Sequence, residues 1–150
     1  MLTISEVKRI ATSAENLKHR LMIEFAYTAG LRVSELVAVK VQHLNLEKLK
    51  VFVPGIDKLG ARATIFSAGL KDALQRQIGN KRPDDYLFPS ERGGNLTTRS
   101  VTKFFKAALQ TSGVDKEVTP HSLRQSFTAF MLAKGNNKAS VQSLLGRRAL

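Results

Sequence analysis

Apolar residues recur at intervals of three and four over most of the chain, a pattern typical of helices with one buried face. The first stripe begins directly after Thr3, whose spacing to Glu6 fits a capping box. Its members are Ile4, Val7, Ile10 and Ala11. The same period predicts further helices over residues 14–29, 32–39, 69–78, 97–111, 119–134 and 139–145. Gly30 and Gly146 follow two of these segments, where helices commonly stop.

The period changes in the middle of the chain. Residues 44–46, 49–53 and 61–67 are predicted to be extended, with a turn over 54–60 and a short extended piece over 86–89. We therefore expect a mainly α fold with a small three-stranded antiparallel sheet, an α+β arrangement. A length of 150 residues suits a single domain over 1–150.

Charge points to a polyanionic partner. Lys and Arg number 24 against 12 Asp and Glu, a net charge of +12. The cations are spread along the chain rather than gathered on one amphipathic stretch, which favours nucleic acid over a membrane surface. A basic protein of the ribosomal type has the same composition, so charge alone does not decide between the two.

Other classes of protein fit the sequence poorly. There is no cysteine, and His19, His43 and His121 lack metal-ligand spacing. No apolar run reaches the length of a membrane span, and the N-terminus resembles a helix start rather than a signal peptide. We expect no metal, no membrane partner and a cytoplasmic location.

Two basic segments carry the candidate chemistry, residues 30–36 (GLRVSEL) and 119–124 (TPHSLR). Pro120 favours the first turn of a helix, which places His121 and Arg124 on one face near its N-terminus. A guanidinium and an imidazole there suit one phosphate. Taken alone, the H-x-x-R spacing is more often a surface arginine with a capping histidine.

Arg32 and Glu35 allow two interpretations. Three residues apart, they could form an exposed ion pair that contributes well under about 1 kcal/mol. Alternatively, Glu35 holds Arg32 in one rotamer or braces a facing helix.

A third candidate cation lies in the predicted turn between strands. Lys58 at a hairpin tip could keep a sheet edge soluble, or it could reach a nucleic-acid groove and protonate a leaving oxygen. Lys48, Lys50 and Arg62 are competing candidates, and spacing does not choose among them.

An ordered set of motifs resembles the catalytic domain of tyrosine recombinases of the Xer and phage-integrase type. Residues 27–36 (YTAGLRVSEL) resemble the first arginine box, and residues 119–127 (TPHSLRQSF) resemble the H-x-L-R-H-x-F box, with Gln125 in place of a frequent histidine. Residues 1–7, 87–90 and 141–146 resemble the domain start, the "LF" element and the L-L-G segment of the third box. The resemblance runs from end to end and implies the tyrosine recombinase catalytic-domain fold.

The resemblance also implies roles for matching residues. Arg32 and Arg124 would clamp the scissile phosphate, with His121 assisting by hydrogen bonding or proton transfer. Glu35 would be the supporting acid of the first box. Lys58 would protonate the leaving 5′-oxygen, although the turn departs from the usual G-K-G-x-K-x-R pattern.

Two further arginines belong to the expected site. Arg62, with the other cations, is expected to bind DNA, and Arg147 occupies the third-box position usually held by histidine or tryptophan. An arginine there still suits phosphate but is a poor proton shuttle. The family uses no metal or other cofactor, so preorganised cations would stabilise the charge that develops on phosphorus.

The family's nucleophilic tyrosine would lie beyond the third box, after Leu150, and its core-binding domain would precede Met1. Tyr27 and Tyr86 lie elsewhere and are expected to be core or rim residues. The sequence therefore predicts part of a site-specific recombinase or integrase that binds double-stranded DNA and other protomers. These residues alone would lack the nucleophile. The alternative is a non-catalytic DNA-binding or regulatory module related to recombinases.

Overall fold

The computed structural model describes residues 1–55 and 61–146. Over these residues the chain forms seven α-helices: α1 (Ile4–Ser13), α2 (Leu17–Ala29), α3 (Val33–Ala38), α4 (Lys71–Ile78), α5 (Thr98–Ser112), α6 (Pro120–Ala133) and α7 (Lys138–Leu145). The same residues form three strands, β1 (Leu44–Asn45), β2 (Lys50–Val53) and β3 (Arg62–Ile65), and the 3-10 helices Val41–His43 and Ala68–Leu70. The expected mainly helical fold with a small antiparallel sheet is confirmed.

Helix α2 is the centre of the helical layer. It packs against α1, α5 and α6, and its residues Met22, Ile23 and Phe25 are fully buried. Leu17, in the predicted helix over 14–29, is 74% exposed, and Ile4 of the first stripe is 40% exposed, so both side chains lie outside this core. Both are the first residues of their helices.

The predicted helix starts are set by side-chain caps. The Thr3 hydroxyl accepts from the backbone N–H of Glu6, and the Thr3 N–H donates to the Glu6 carboxylate, so the capping box is present. Helix α2 begins three residues later than the predicted position 14. The reason is Asn16, whose side chain accepts from the N–H groups of Lys18 and His19.

The sheet has the strand order β1-β2-β3, and its last pair is antiparallel with Val53 opposite Arg62. Val51 and Val53 point inward from β2, whereas Arg62 and Thr64 point inward from β3. The Thr64 hydroxyl donates to the carbonyl oxygen of Ala29 at 2.9 Å, so the sheet is tied to the end of α2. Part of the predicted turn, residues 56–60, lies outside the described residues.

None of the helices in the described ranges combines the length and the apolar character needed to cross a bilayer.

Candidate phosphate-binding site

The turn between α2 and α3 presents Arg32. Gly30 ends α2 with φ +66°, a left-handed conformation that favours glycine. A Cβ at this position would lie 2.7 Å from a ring carbon of Phe127 and 2.9 Å from a methyl of Leu145. The backbone of the first arginine box can therefore approach α6 and α7 closely only because residue 30 has no side chain.

A single carboxylate, that of Glu35, gathers three guanidinium groups among the described residues. Arg62 binds it through two hydrogen bonds, Nη1 to Oε2 at 2.6 Å and Nη2 to Oε1 at 2.9 Å. The guanidinium nitrogens of Arg32 and Arg124 are farther away, at 3.5 and 3.7 Å. The backbone N–H of Arg32 also donates to Glu35 at 2.8 Å, which fixes the start of α3. Three positive charges around one negative charge leave the cluster strongly cationic.

Arg124 is part of the interior framework as well as of the cluster. Its side chain is 6% exposed, and it donates to the carbonyl oxygens of Gly30 and Leu145, each at 2.7 Å. Burial lowers its pKa to about 10, and the charge of Arg32 acts in the same direction. At neutral pH the guanidinium is still charged, with its orientation set by two backbone acceptors.

Arg62 also lies in the interior. Its side chain is 4% exposed, and Nε donates to the carbonyl oxygen of Leu144 at 2.6 Å. Alternation along β3 directs Arg62 to the inner face with Thr64, where its guanidinium contacts Glu35 and the end of α7. Sequence reasoning missed this inward position, because alternation of polar Arg62 and Thr64 with Ala63 ordinarily places the polar side chains on the outer face.

The end of helix α7 is held by two arginines. The consecutive carbonyl groups of Leu144 and Leu145 accept from Arg62 and Arg124. The last carbonyls of a helix have no partner within it and form the negative end of its dipole, so guanidinium donors there are favourable. Gly146 follows with φ +90°, and a Cβ on it would lie 3.2 Å from Cδ of Arg62.

Opposing effects act on the pKa of Glu35. Burial raises this pKa, but hydrogen bonds from Arg62 and from the Arg32 backbone lower it, as do the charges of Arg62 and Arg124. The net result is a pKa below its ordinary value of 4.5. The carboxylate is therefore ionised at neutral pH and is a permanent anion at the centre of the cluster.

The remaining predicted site residues lie around this cluster or outside the described chain. His121 is exposed in the first turn of α6, three positions before Arg124. Lys58 and Arg147 lie outside the described residues. The structure therefore brings together Arg32 and Arg124 at Glu35, and it places His121 one helical turn before Arg124.

The two tyrosines occupy other parts of the fold. Tyr27 is 8% exposed, its ring lies near that of Phe130, and burial raises its pKa. Tyr86 forms an isolated bridge with Lys40, whose ammonium lies 5.6 Å from the Tyr86 ring centre.

Comparison with known proteins identifies the family. The model of the phage integrase family matches residues 1–149, and the chain belongs to this family. It is 32% identical to tyrosine recombinase XerD of Listeria monocytogenes over 97% of the chain and 53% of the relative. It is 35% identical to XerA of Pyrococcus horikoshii over 99% of the chain and 53% of the relative. The chain thus spans about half the length of the curated relatives it matches.

Solved structures show the same fold. A crystal structure of XerA recombinase superposes with a TM-score of 0.89 at 25% identity, covering 99% of this chain and 56% of that one. XerH recombinase bound to its difH substrate in a pre-cleavage complex superposes with a TM-score of 0.83 at 22% identity, covering 99% of this chain and 47% of that one. A lambda integrase dimer bound to a COC′ core site superposes with a TM-score of 0.78 at 22% identity, covering 99% of this chain and 57% of that one. The tyrosine recombinase catalytic-domain fold is confirmed.

Proposed function

We propose that this chain is the phosphate-binding part of a site-specific DNA recombinase, with Arg32 and Arg124 clamping one DNA phosphate. One observation carries the proposal. Guanidinium groups from α6 and from the residue before α3 approach the same Glu35 carboxylate, at 3.7 and 3.5 Å. Membership of the phage integrase family supports this assignment.

The geometry suits stabilisation of a phosphoryl transition state. Arg124 is buried and oriented by two carbonyl groups, so little reorganisation is needed when negative charge develops on the non-bridging oxygens. Arg32 is 43% exposed and forms the solvent side of the clamp. His121, exposed at the start of α6, would donate a hydrogen bond to the same phosphate.

The cleavage step would be a transesterification. A tyrosine hydroxyl gives up its proton to a general base, its oxygen forms a bond to phosphorus, and the bond from phosphorus to the 5′-oxygen breaks. The leaving oxygen takes up a proton, for which we propose Lys58 as donor, and Arg147 would contribute charge to the phosphate. We propose that neither Tyr27, buried against Phe130, nor Tyr86, bridged to Lys40, is the nucleophile.

Two partners follow from the proposal. One is double-stranded DNA, since XerH was solved with its difH substrate and lambda integrase with a core site. The other is a second recombinase protomer, since that lambda integrase is a dimer. The net charge of +12 is consistent with DNA as a partner.

DNA binding tests the clamp. We would measure the Kd for a labelled DNA duplex by fluorescence anisotropy at several salt concentrations. Arg32→Gln should weaken binding by about 10-fold or more and reduce the slope of log K against log salt by about 1. Arg76→Gln, an equal loss of charge at an exposed position on α4, is the matched control, expected to change Kd by no more than about 3-fold. Equal losses in the two variants would contradict the clamp.

Covalent chemistry is tested separately. The 150-residue polypeptide would be incubated with suicide DNA duplexes that trap a phosphotyrosyl product. We expect no adduct. An adduct mapped by mass spectrometry to Tyr27 or Tyr86 would overturn the assignment of these tyrosines to the fold.

A further inference from the structure

We propose that Arg62 is a positioning residue that neutralises Glu35 and so keeps the guanidinium groups of Arg32 and Arg124 available for phosphate. The proposal deepens the clamp and rests on the function proposed above. It differs from a direct DNA contact, because the Arg62 side chain is 4% exposed and its Nε, Nη1 and Nη2 all donate to protein oxygens.

Arg32, Arg62 and Arg124 compete for one anion, the Glu35 carboxylate. A buried carboxylate needs a charged partner, because leaving it unpaired is strongly unfavourable. Glu35 has a side chain that is 14% exposed, and Arg62 occupies both of its oxygens in a fork. Arg32 and Arg124 remain at 3.5 and 3.7 Å, beyond a short hydrogen bond from the guanidinium.

Without Arg62, the Glu35 carboxylate would lose its paired cation. Among the described residues, the clamp arginines Arg32 and Arg124 would then be its remaining ion-pair partners. Each would be drawn toward Glu35, and a phosphate would have to compete with the carboxylate for the same donors. Arg62 therefore affects phosphate binding through Glu35, without touching the phosphate.

Contacts to several elements fix Arg62 itself. It begins β3 opposite Val53, and its Nε donates to the Leu144 carbonyl at the end of α7. Gly146 lies against the Arg62 side chain. A Cβ added to Gly146 would lie only 3.2 Å from Cδ of Arg62, so a larger residue there would push on the arginine. The guanidinium is thus placed by three elements, α3, β3 and the end of α7.

A double-mutant cycle tests the proposal. Binding of a labelled DNA duplex would be measured by anisotropy for the wild type, Arg62→Met, Glu35→Gln and the double variant. Circular dichroism would set a temperature at which each variant is folded. Arg62→Met should weaken binding by about 10-fold. Adding Glu35→Gln to Arg62→Met should raise the DNA affinity again by at least about 5-fold, because the competing anion is gone. The effects of the two substitutions on binding free energy should therefore be non-additive.

Each other outcome has a defined meaning. If the loss in Arg62→Met persists unchanged in the Glu35→Gln background, Arg62 contacts DNA or acts only on folding, and the proposal is overturned. Should Arg62→Met not fold, Arg62→Gln with and without Glu35→Gln serves instead, because glutamine removes the charge but keeps two N–H donors for the surrounding oxygens. Recovery on adding Glu35→Gln supports the proposal in that pair, and absence of recovery overturns it.

An Arg32→Gln arm separates this inference from the function on which it rests. If Arg32→Gln binds the duplex as the wild type does, the clamp itself fails. If Arg32→Gln binds the duplex more weakly but Glu35→Gln restores no DNA affinity to the Arg62 variants, only the positioning role of Arg62 fails.

Discussion

Arg124 donates a hydrogen bond of 2.7 Å to the carbonyl oxygen of Gly30, 94 positions earlier in the chain. This contact joins the second basic segment to the turn that presents the first. The convergence of the two arginine boxes is therefore part of the folded framework.

The first prediction concerns stability. Arg124→Gln should lower the free energy of unfolding by about 3 kcal/mol, because the buried carbonyls of Gly30 and Leu145 lose a charged donor. Arg32→Gln should cost no more than about 1 kcal/mol, because that side chain is 43% exposed. Urea unfolding followed by circular dichroism measures both. Equal stability of the two variants would contradict a framework role for Arg124.

The second prediction concerns the turn. Gly30→Ala should destabilise the protein by about 2–4 kcal/mol, because it combines a left-handed φ with contacts below 3.0 Å to Phe127 and Leu145. Gly93→Ala is the matched control, since φ is +94° and nothing lies within 4 Å of the added Cβ. It should cost only the backbone strain, about 1 kcal/mol. A thermal-unfolding comparison in which both variants shift Tm equally would exclude close packing as the cause.

The third prediction concerns acid. The pKa of Glu35 is lower in the folded protein than its ordinary value of 4.5, so the ionised carboxylate stabilises the fold above that value. This stabilisation is lost as the pH falls through the folded-state pKa. Glu35→Gln should be less stable than the wild type by about 2–4 kcal/mol at pH 7, with the difference shrinking below pH 4.5. Urea unfolding across this range measures it, and a difference independent of pH would refute the ion-pair origin.

The fourth prediction separates binding from folding at His121. This residue is exposed in the first turn of α6, so His121→Ala should change the free energy of unfolding by no more than about 0.5 kcal/mol. DNA affinity should nevertheless fall, because a donor to the proposed phosphate is lost. Unchanged DNA affinity would remove His121 from the clamp. Gln125 is exposed on the same helix, so Gln125→Ala is the control, and its effect on DNA affinity should be smaller than that of His121→Ala.

Much of the fold could be predicted because its signals are local. Thr3 with Glu6, Pro120 after Thr119, and Gly30 at a helix end each mark a boundary through contacts within a few residues. The start of α2 was misplaced because Asn16 caps the helix, whereas the apolar pattern alone extended it to residue 14. Leu17 fits the apolar spacing of α2, but the structure leaves it 74% exposed at the first position of the helix.

The site could be predicted only in part. Motif resemblance named Arg32, Glu35 and Arg124, and these three meet in the structure. The interior position of Arg62 was missed because β3 reverses the usual pattern, with Arg62 and Thr64 inward and Ala63 outward. This reversal is stable only because Glu35 and the Ala29 carbonyl, both remote in sequence, supply partners.

Arginine side-chain NMR with inorganic phosphate tests the clamp most directly. Nitrogen–proton spectra of the Nε–H groups would be followed during a phosphate titration at constant ionic strength, with assignments from single arginine variants. We predict that Arg32 and Arg124 shift together with one Kd, while Arg76 on the exposed face of α4 does not follow them. Shifts of Arg32 and Arg124 with different affinities, or shifts no larger than that of Arg76, would contradict a single shared phosphate.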